Sequence, residues 1–246
     1  MFFILWLAIP LDLQNLTITN KNHQTMNTIQ NNSDFLFLYE AINCNPNGDP
    51  DQENKPRMDY DTQTNLVTDT RLKRYIRDYF MQKDYDVFVS MEEGTKVNPD
   101  QKLEIVVNRL FSDSKLVDEY FSGEPEMKGI FDRVMEKAKD ASSVFKELQK
   151  AKNKKLNTFI LDKIVKETYL DIRLFGSAFA VGGFTRAYTG PLQINWGYSL
   201  NEVYPLDSDS IVTIMNDDSS TFGKDYRIHY SLLAFHGLGN KFAAKT

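Results

Sequence analysis

Phe35-Leu36-Phe37-Leu38-Tyr39-Glu40-Ala41-Ile42 leads through a long loop into Thr68-Asp69-Thr70-Arg71-Leu72-Lys73-Arg74-Tyr75-Ile76-Arg77-Asp78-Tyr79-Phe80-Met81-Gln82, and this succession decides the fold. The first run is almost continuously apolar and ends in Asn, Pro and Gly, the pattern of a buried strand. In the second, Leu72, Tyr75, Ile76, Tyr79 and Phe80 recur at i, i+3, i+4, i+7 and i+8, which predicts a helix over 68–82 with those five on one face. Thr68 or Asp69 supplies an oxygen able to cap it. Between the two, 44–66 is dense in Asn, Pro, Gly and Asp. A loop of that length inside a compact domain is usually functional or disordered.

Working outward, 85–90 reads as a second strand and 99–155 as a charged, mostly helical block interrupted at Gly123-Glu124-Pro125. A further helix is expected over 157–180, stopped by Gly182-Gly183, then strands over 191–202 and 226–236 joined by an acidic link, 207–224. This order suits an α+β domain built on one antiparallel sheet, and an RRM-like (ferredoxin-like) core is the simplest candidate. It places 34–246 in one domain, with a helical insertion over about 96–156 and a β-hairpin thumb over about 201–225. Such a fold licenses no function by itself.

Apolar residues make up 41% of the 246, enough for a substantial core. The single cysteine, Cys44, cannot form an internal disulfide, and one cysteine with three scattered histidines gives no paired zinc-ligand spacing. No cofactor or metal is expected. A formal net charge of −5 argues against a generally basic nucleic-acid binder but permits a local basic stripe. The apolar start Met1 to Leu13 lacks a basic n-region and is too short to span a bilayer. With the Asn/Thr/Gln-rich tract behind it, 1–33 is expected to be a non-native or disordered extension, Met26 being the natural start.

The basic stripe lies on the predicted helix. Arg71, Lys73, Arg74 and Arg77 fill the arc beside its apolar face, and Lys73 and Arg77 stand one turn apart, spaced for neighbouring phosphates. Arg57 adds a cation ahead of the helix. The loop Asn45-Pro46-Asn47-Gly48-Asp49-Pro50-Asp51 stacks turn residues able to aim backbone N–H groups outward.

Together these motifs resemble a known family. Asn45 to Asp51, Pro56-Arg57-Met58-Asp59, the run Leu66 to Arg77, Asp171-Ile172-Arg173-Leu174-Phe175-Gly176, the run Gly190 to Leu200, and Thr221-Phe222-Gly223 with His229 to Gly237 are similar to the backbone subunit of Cascade-type CRISPR complexes. That subunit belongs to the RAMP superfamily, and the likeness is nearest its Csh/Csd branch of subtypes I-B and I-C. The resemblance implies an RRM-like palm, a helical finger region and a thumb. Copies would polymerise along a guide RNA, beside other Cascade subunits, in the cytoplasm and not at a membrane. Base pairing would then read target DNA while protein grips the guide backbone. Carried over by motif, Lys73, Arg74 and Arg77 would hold phosphates, assisted by Arg57 and Thr68. Asn195, Trp196 and Ser199 match a motif strand, and Met215 or Phe222 would supply an apolar wedge from the thumb. Family members continue beyond the strand at 226–236, so a C-terminally truncated chain with an unpaired sheet edge and uncovered apolar surface is expected.

Two other classes compete. Some RAMP relatives cut RNA with a loop aspartate, and Asp49, Asp51 and Asp59 lie where carboxylates would hold Mg²⁺ for an endonuclease. His229 and His236 suggest acid–base chemistry, but an odd spacing along a strand turns them to opposite faces. A structural protein assembling without RNA is the third class, separable by its weak salt dependence. The expected reading is a non-enzymatic guide-RNA binder.

Overall fold

The computed structural model describes residues 28–90, 98–138, 143–206, 209–211 and 223–245, so the apolar start at 1–13 and the thumb candidates Met215 and Phe222 lie outside the described residues. Strand β1 (Ser33–Cys44) is followed by β2 (Gly48–Asp49), β3 (Lys55–Pro56), β4 (Met58–Asp59), β5 (Thr64–Val67) and helix α1 (Asp69–Gln82). Then come α2 (Pro99–Leu110), α3 (Ser114–Tyr120), α4 (Pro125–Met135), α5 (Val144–Ala151) and α6 (Lys154–Phe159). A π-helical turn (Ile160–Val165) leads into α7 (Lys166–Thr168) and α8 (Leu170–Phe175). Next are β6 (Gly176–Val181), β7 (Phe184–Thr189), β8 (Leu192–Ile194) and β9 (Gly197–Ser199), then β10 (Asp209–Ile211), β11 (Gly223–Asp225) and β12 (Ile228–Gly239). The class is α+β with antiparallel pairing throughout the described sheets.

The chain divides into two compact units. One comprises Met1–Ile76 and Leu192–Lys241 with Lys245, and the other Arg77–Pro191 with Phe242–Ala244 and Thr246.

In the first unit the sheet runs β1-β12-β9-β5-β4, with β8 also on β12. The β1–β12 ladder pairs every residue from Ser33↔Gly239 to Ile42↔Tyr230, skips Asn43, which sits at φ +48°, and resumes at Cys44↔Ile228. Strand periodicity sends Phe35, Phe37, Tyr39 and Ala41 to one face with Leu233 and Phe235. There Phe37, Tyr39 and Phe235 pack ring to ring at 5.8 to 6.3 Å between centroids. Gly197 and Gly237 are required by those rings, since a Cβ would lie 2.4 Å from Phe235 and 2.1 Å from Phe35 respectively. On the opposite face Leu36, Ile42, Tyr198, Tyr230 and Leu238 are all exposed. The expected single strand over 191–202 is two, broken at Asn195-Trp196 between β8 and β9.

The second unit has a closed core. Phe111, Phe121, Phe131 and Phe159 stack in series at 4.8 to 5.4 Å, and Leu148, Ile160, Leu161 and Val165 have no accessible surface. At the start of α2, Asn98 accepts from the Gln101 N–H (2.7 Å) and Gln101 reciprocates (3.3 Å).

Two expected elements differ here. The helix expected over 157–180 is broken at Tyr169, which is extended, and ends at Phe175, because Gly176 has φ +83° and begins a strand. Gly182 and Gly183, both at positive φ, are the two-residue turn joining β6 to β7 rather than a helix stop. Residues 85–90 form no strand. The N–H groups of Phe88 and Val89 are instead taken by the carboxylate of Asp171, at 2.7 and 3.1 Å.

Candidate nucleic-acid interface

The loop expected to carry function is tied to the helix that follows it. The Asn47 side-chain oxygen accepts from both the N–H and the hydroxyl of Thr68, at 2.8 and 3.0 Å. Thr68 Oγ1 in turn accepts from the Arg71 N–H (3.2 Å), capping the first turn of α1. Asn47 O also receives the Arg57 N–H at 3.0 Å. One asparagine thus aligns the loop, Arg57 and the helix N-terminus.

Within the loop, β2 pairs with β3, and Glu53 and Asn54 turn the chain at φ +54° and +61°. Gly48 cannot be replaced without movement, because a Cβ would stand 1.9 Å from Asn54 Oδ1. Arg57 pairs with Asp49 (Nη1 to Oδ2, 3.2 Å), and its carbonyl accepts from Asn65 Nδ2 (2.8 Å) and the Leu66 N–H (2.9 Å). Asn65 N–H donates to Ser199 Oγ at 3.0 Å, linking β9 to the same network. Arg57, Thr68 and Ser199, singled out separately in the sequence, are therefore brought together by Asn47 and Asn65. Neither asparagine was singled out as a site residue; only the Asn-rich spacing hinted at Asn47.

Along α1 the five-residue apolar stripe is narrower than expected. Leu72 is buried and Ile76 half-buried, but Tyr75 and Tyr79 are exposed. The Arg71 guanidinium lies over the Tyr75 ring at 4.6 Å and donates to its hydroxyl at 2.9 Å. Both tyrosines keep polar tips in water and stack a cation, which accounts for their exposure. Tyr39 has its phenol pKa pushed up chiefly by burial.

Lys73 pairs with Asp69 one turn back (2.8 Å), and Arg74 is half-buried on the same helix. The first turns of α1 thus carry Arg71, Lys73 and Arg74 against one aspartate, a local positive excess in an acidic chain. Arg77 belongs to the second unit and is differently employed: its Nε binds Asp171 at 2.9 Å, with 12% of its side chain exposed and 1% of the aspartate's. Its guanidinium is the counter-charge of a buried carboxylate. That occupation, and not the spacing from Lys73, defines its geometry.

On the other motif strand, the Asn195 N–H donates to His236 O at 2.9 Å and Trp196 is 41% exposed at the break between β8 and β9. The aspartates do not converge. Asp49 is held by Arg57, and Asp59 accepts from the N–H groups of Asp61 and Thr62, at 3.1 and 3.4 Å. Hydrogen bonding, led by the Thr62 hydroxyl, lowers the Asp59 pKa. Among the described residues no three of His, Cys, Asp and Glu are grouped to hold a metal ion. His236 contacts Asp34 at 3.2 Å, seven positions along β12 from His229. No helix among the described residues is long and apolar enough to cross a membrane.

An antiparallel sheet, a loop locked to a capped basic helix, and the motifs carried on both define a family. The model of CRISPR-associated protein Cas7 matches residues 31–246, and the chain belongs to that family, as the motif resemblance anticipated. Among individual proteins it is similar to the CRISPR-associated protein Cas7 of Haloferax volcanii, 29% identical over 227 residues that cover 89% of this chain. The chain spans 59% of the length of that relative.

Proposed function

We propose that this chain binds a CRISPR guide RNA as a backbone subunit of a type I surveillance complex, without cleaving RNA itself. The observation that carries the reading is the junction at Asn47 and Thr68, which fixes the start of α1 and with it Arg71, Lys73 and Arg74. Cations held on a rigid helix start are suited to the phosphates of one strand, whatever its sequence. The sheet, in which β1 leads into α1 and β12 lies between β1 and β8 and β9, supports an RRM-like palm. Copies of the chain stack along the guide in the cytoplasm beside other complex subunits, and target DNA is read through the guide.

Purification of the chain from cells carrying a CRISPR array tests the reading. Uniform guide RNAs are expected to co-purify, and an RNA-free chain contradicts guide binding. Incubation with Mg²⁺ and complementary RNA is expected to give no products. Evenly spaced products lost on Asp49→Ala would establish the endonuclease instead.

A further inference from the structure

The motif Asp171 to Gly176 contains two charges with opposite fates. Asp171 is buried and fully engaged, by Arg77 Nε and by the N–H groups of Phe88 and Val89. Arg173, two positions on in α8, is half-buried, and its Nε is sealed from solvent with no hydrogen-bond partner. Among the described residues no carboxylate forms an ion pair with it. Glu167, which is exposed, acts on it only through space. The carboxylate of the same short helix is already neutralised, so Arg173 has no ion-pair partner among the described residues.

Desolvating part of a guanidinium without a counter-ion is costly, and such orphaned polar atoms in a folded protein call for an explanation. Burial also pushes the Arg173 pKa down, and the through-space attraction of Glu167 does not offset it. A packing role is better served by an uncharged side chain of similar length. A guanidinium is the group whose planar fork matches a phosphate, and its charge cannot be discarded by deprotonation near neutral pH.

We infer that Arg173 is a phosphate anchor, whose terminal Nη groups, beyond the sealed Nε, take a phosphodiester oxygen of single-stranded RNA as the ion-pair partner the fold does not supply. This rests on the guide-binding reading above, and it adds to the second unit a backbone contact that the motif comparison had not assigned.

The test uses the full chain and a synthetic single-stranded RNA of guide length, with affinity measured across a potassium chloride series. Arg173→Gln is expected to weaken binding about tenfold at low salt and to make the slope of log affinity against log salt shallower by about 0.7, the value for one phosphate contact on a single strand. Arg173→Lys should keep most of the slope while losing the fork. Because a partly buried charge without an ion-pair partner is removed, Arg173→Gln should melt no lower than the wild type.

An unchanged slope for Arg173→Gln in a chain that still binds RNA overturns the inference. So does a variant that melts far lower or fails to fold, which would show that the fold itself uses the guanidinium. Wild type that binds no RNA at any salt brings down the guide-binding reading, and the RNA anchor with it. Inorganic phosphate is the control ligand. If it raises the melting temperature of wild type but not of Arg173→Gln while the RNA slopes agree, the site is one for free anions and the RNA assignment is wrong.

Discussion

The two units solve opposite problems with similar material. The helical unit turns its large side chains inward, with Leu148, Ile160, Leu161 and Val165 fully buried. Its one buried acid among the described residues, Asp171, is matched by Arg77 and two backbone donors. The sheet unit packs one face around Phe37, Tyr39 and Phe235 and leaves Leu36, Ile42, Tyr198, Tyr230 and Leu238 in water on the other. Its ion pairs, such as Lys73 with Asp69, are at most part-buried. The difference teaches where to look for function. Residues that complete a core are accounted for by folding, while a capped helix of cations and an exposed apolar face call for something outside the described structure.

Substitutions sharpen the contrast. The largest effect is expected at Asp171→Ala, which leaves Arg77 buried without its partner and costs about 3–5 kcal/mol in urea unfolding. Asp69→Ala, the same deletion at a part-exposed pair within one helix turn, should cost about 1 kcal/mol. Equal losses at the two would show that the units do not differ as described. Ile160→Ala follows at about 2–5 kcal/mol through its cavity. Asn47→Ala should cost about 1–3 kcal/mol by leaving the Thr68 donors unmet, with weaker RNA binding as its companion. Smallest is Leu36→Ser on the exposed face, within about 0.5 kcal/mol in stability, with its main effect a gain in solubility. A loss there comparable to Ile160→Ala would mean that this face is packed in solution.

Much of the sheet unit was legible because its signals are local. The near-continuous apolar run of β1 and the spacing around Leu72 and Ile76 need no knowledge of distant residues. That run nonetheless reads as a strand buried on both faces, whereas Leu36 and Ile42 are in fact exposed. The helical unit was harder to read for the complementary reason. Residues 85–90 have the composition of a strand, but their donors go to a carboxylate more than eighty positions away, which no local pattern reveals. Gly182-Gly183 was visible as a break, yet only the pairing of Val181 with Phe184 shows it to be a hairpin turn.

The site divides the same way. Lys73 and Arg74 were legible as a basic arc, and Arg57, Thr68 and Ser199 as motif members. Their joining through Asn47 and Asn65 depends on contacts between segments far apart in the chain. Arg77 shares the arc by spacing and leaves it by structure, since Asp171 claims it.

The central claim, that the start of α1 grips an RNA backbone, is tested most directly by charge reversal there. Binding of a single-stranded guide-length RNA by the Lys73→Glu, Arg74→Glu chain should fall about a hundredfold at low salt, with a shallower salt slope and a melting temperature close to wild type. A chain that keeps both its fold and its full RNA affinity after that reversal would contradict the account.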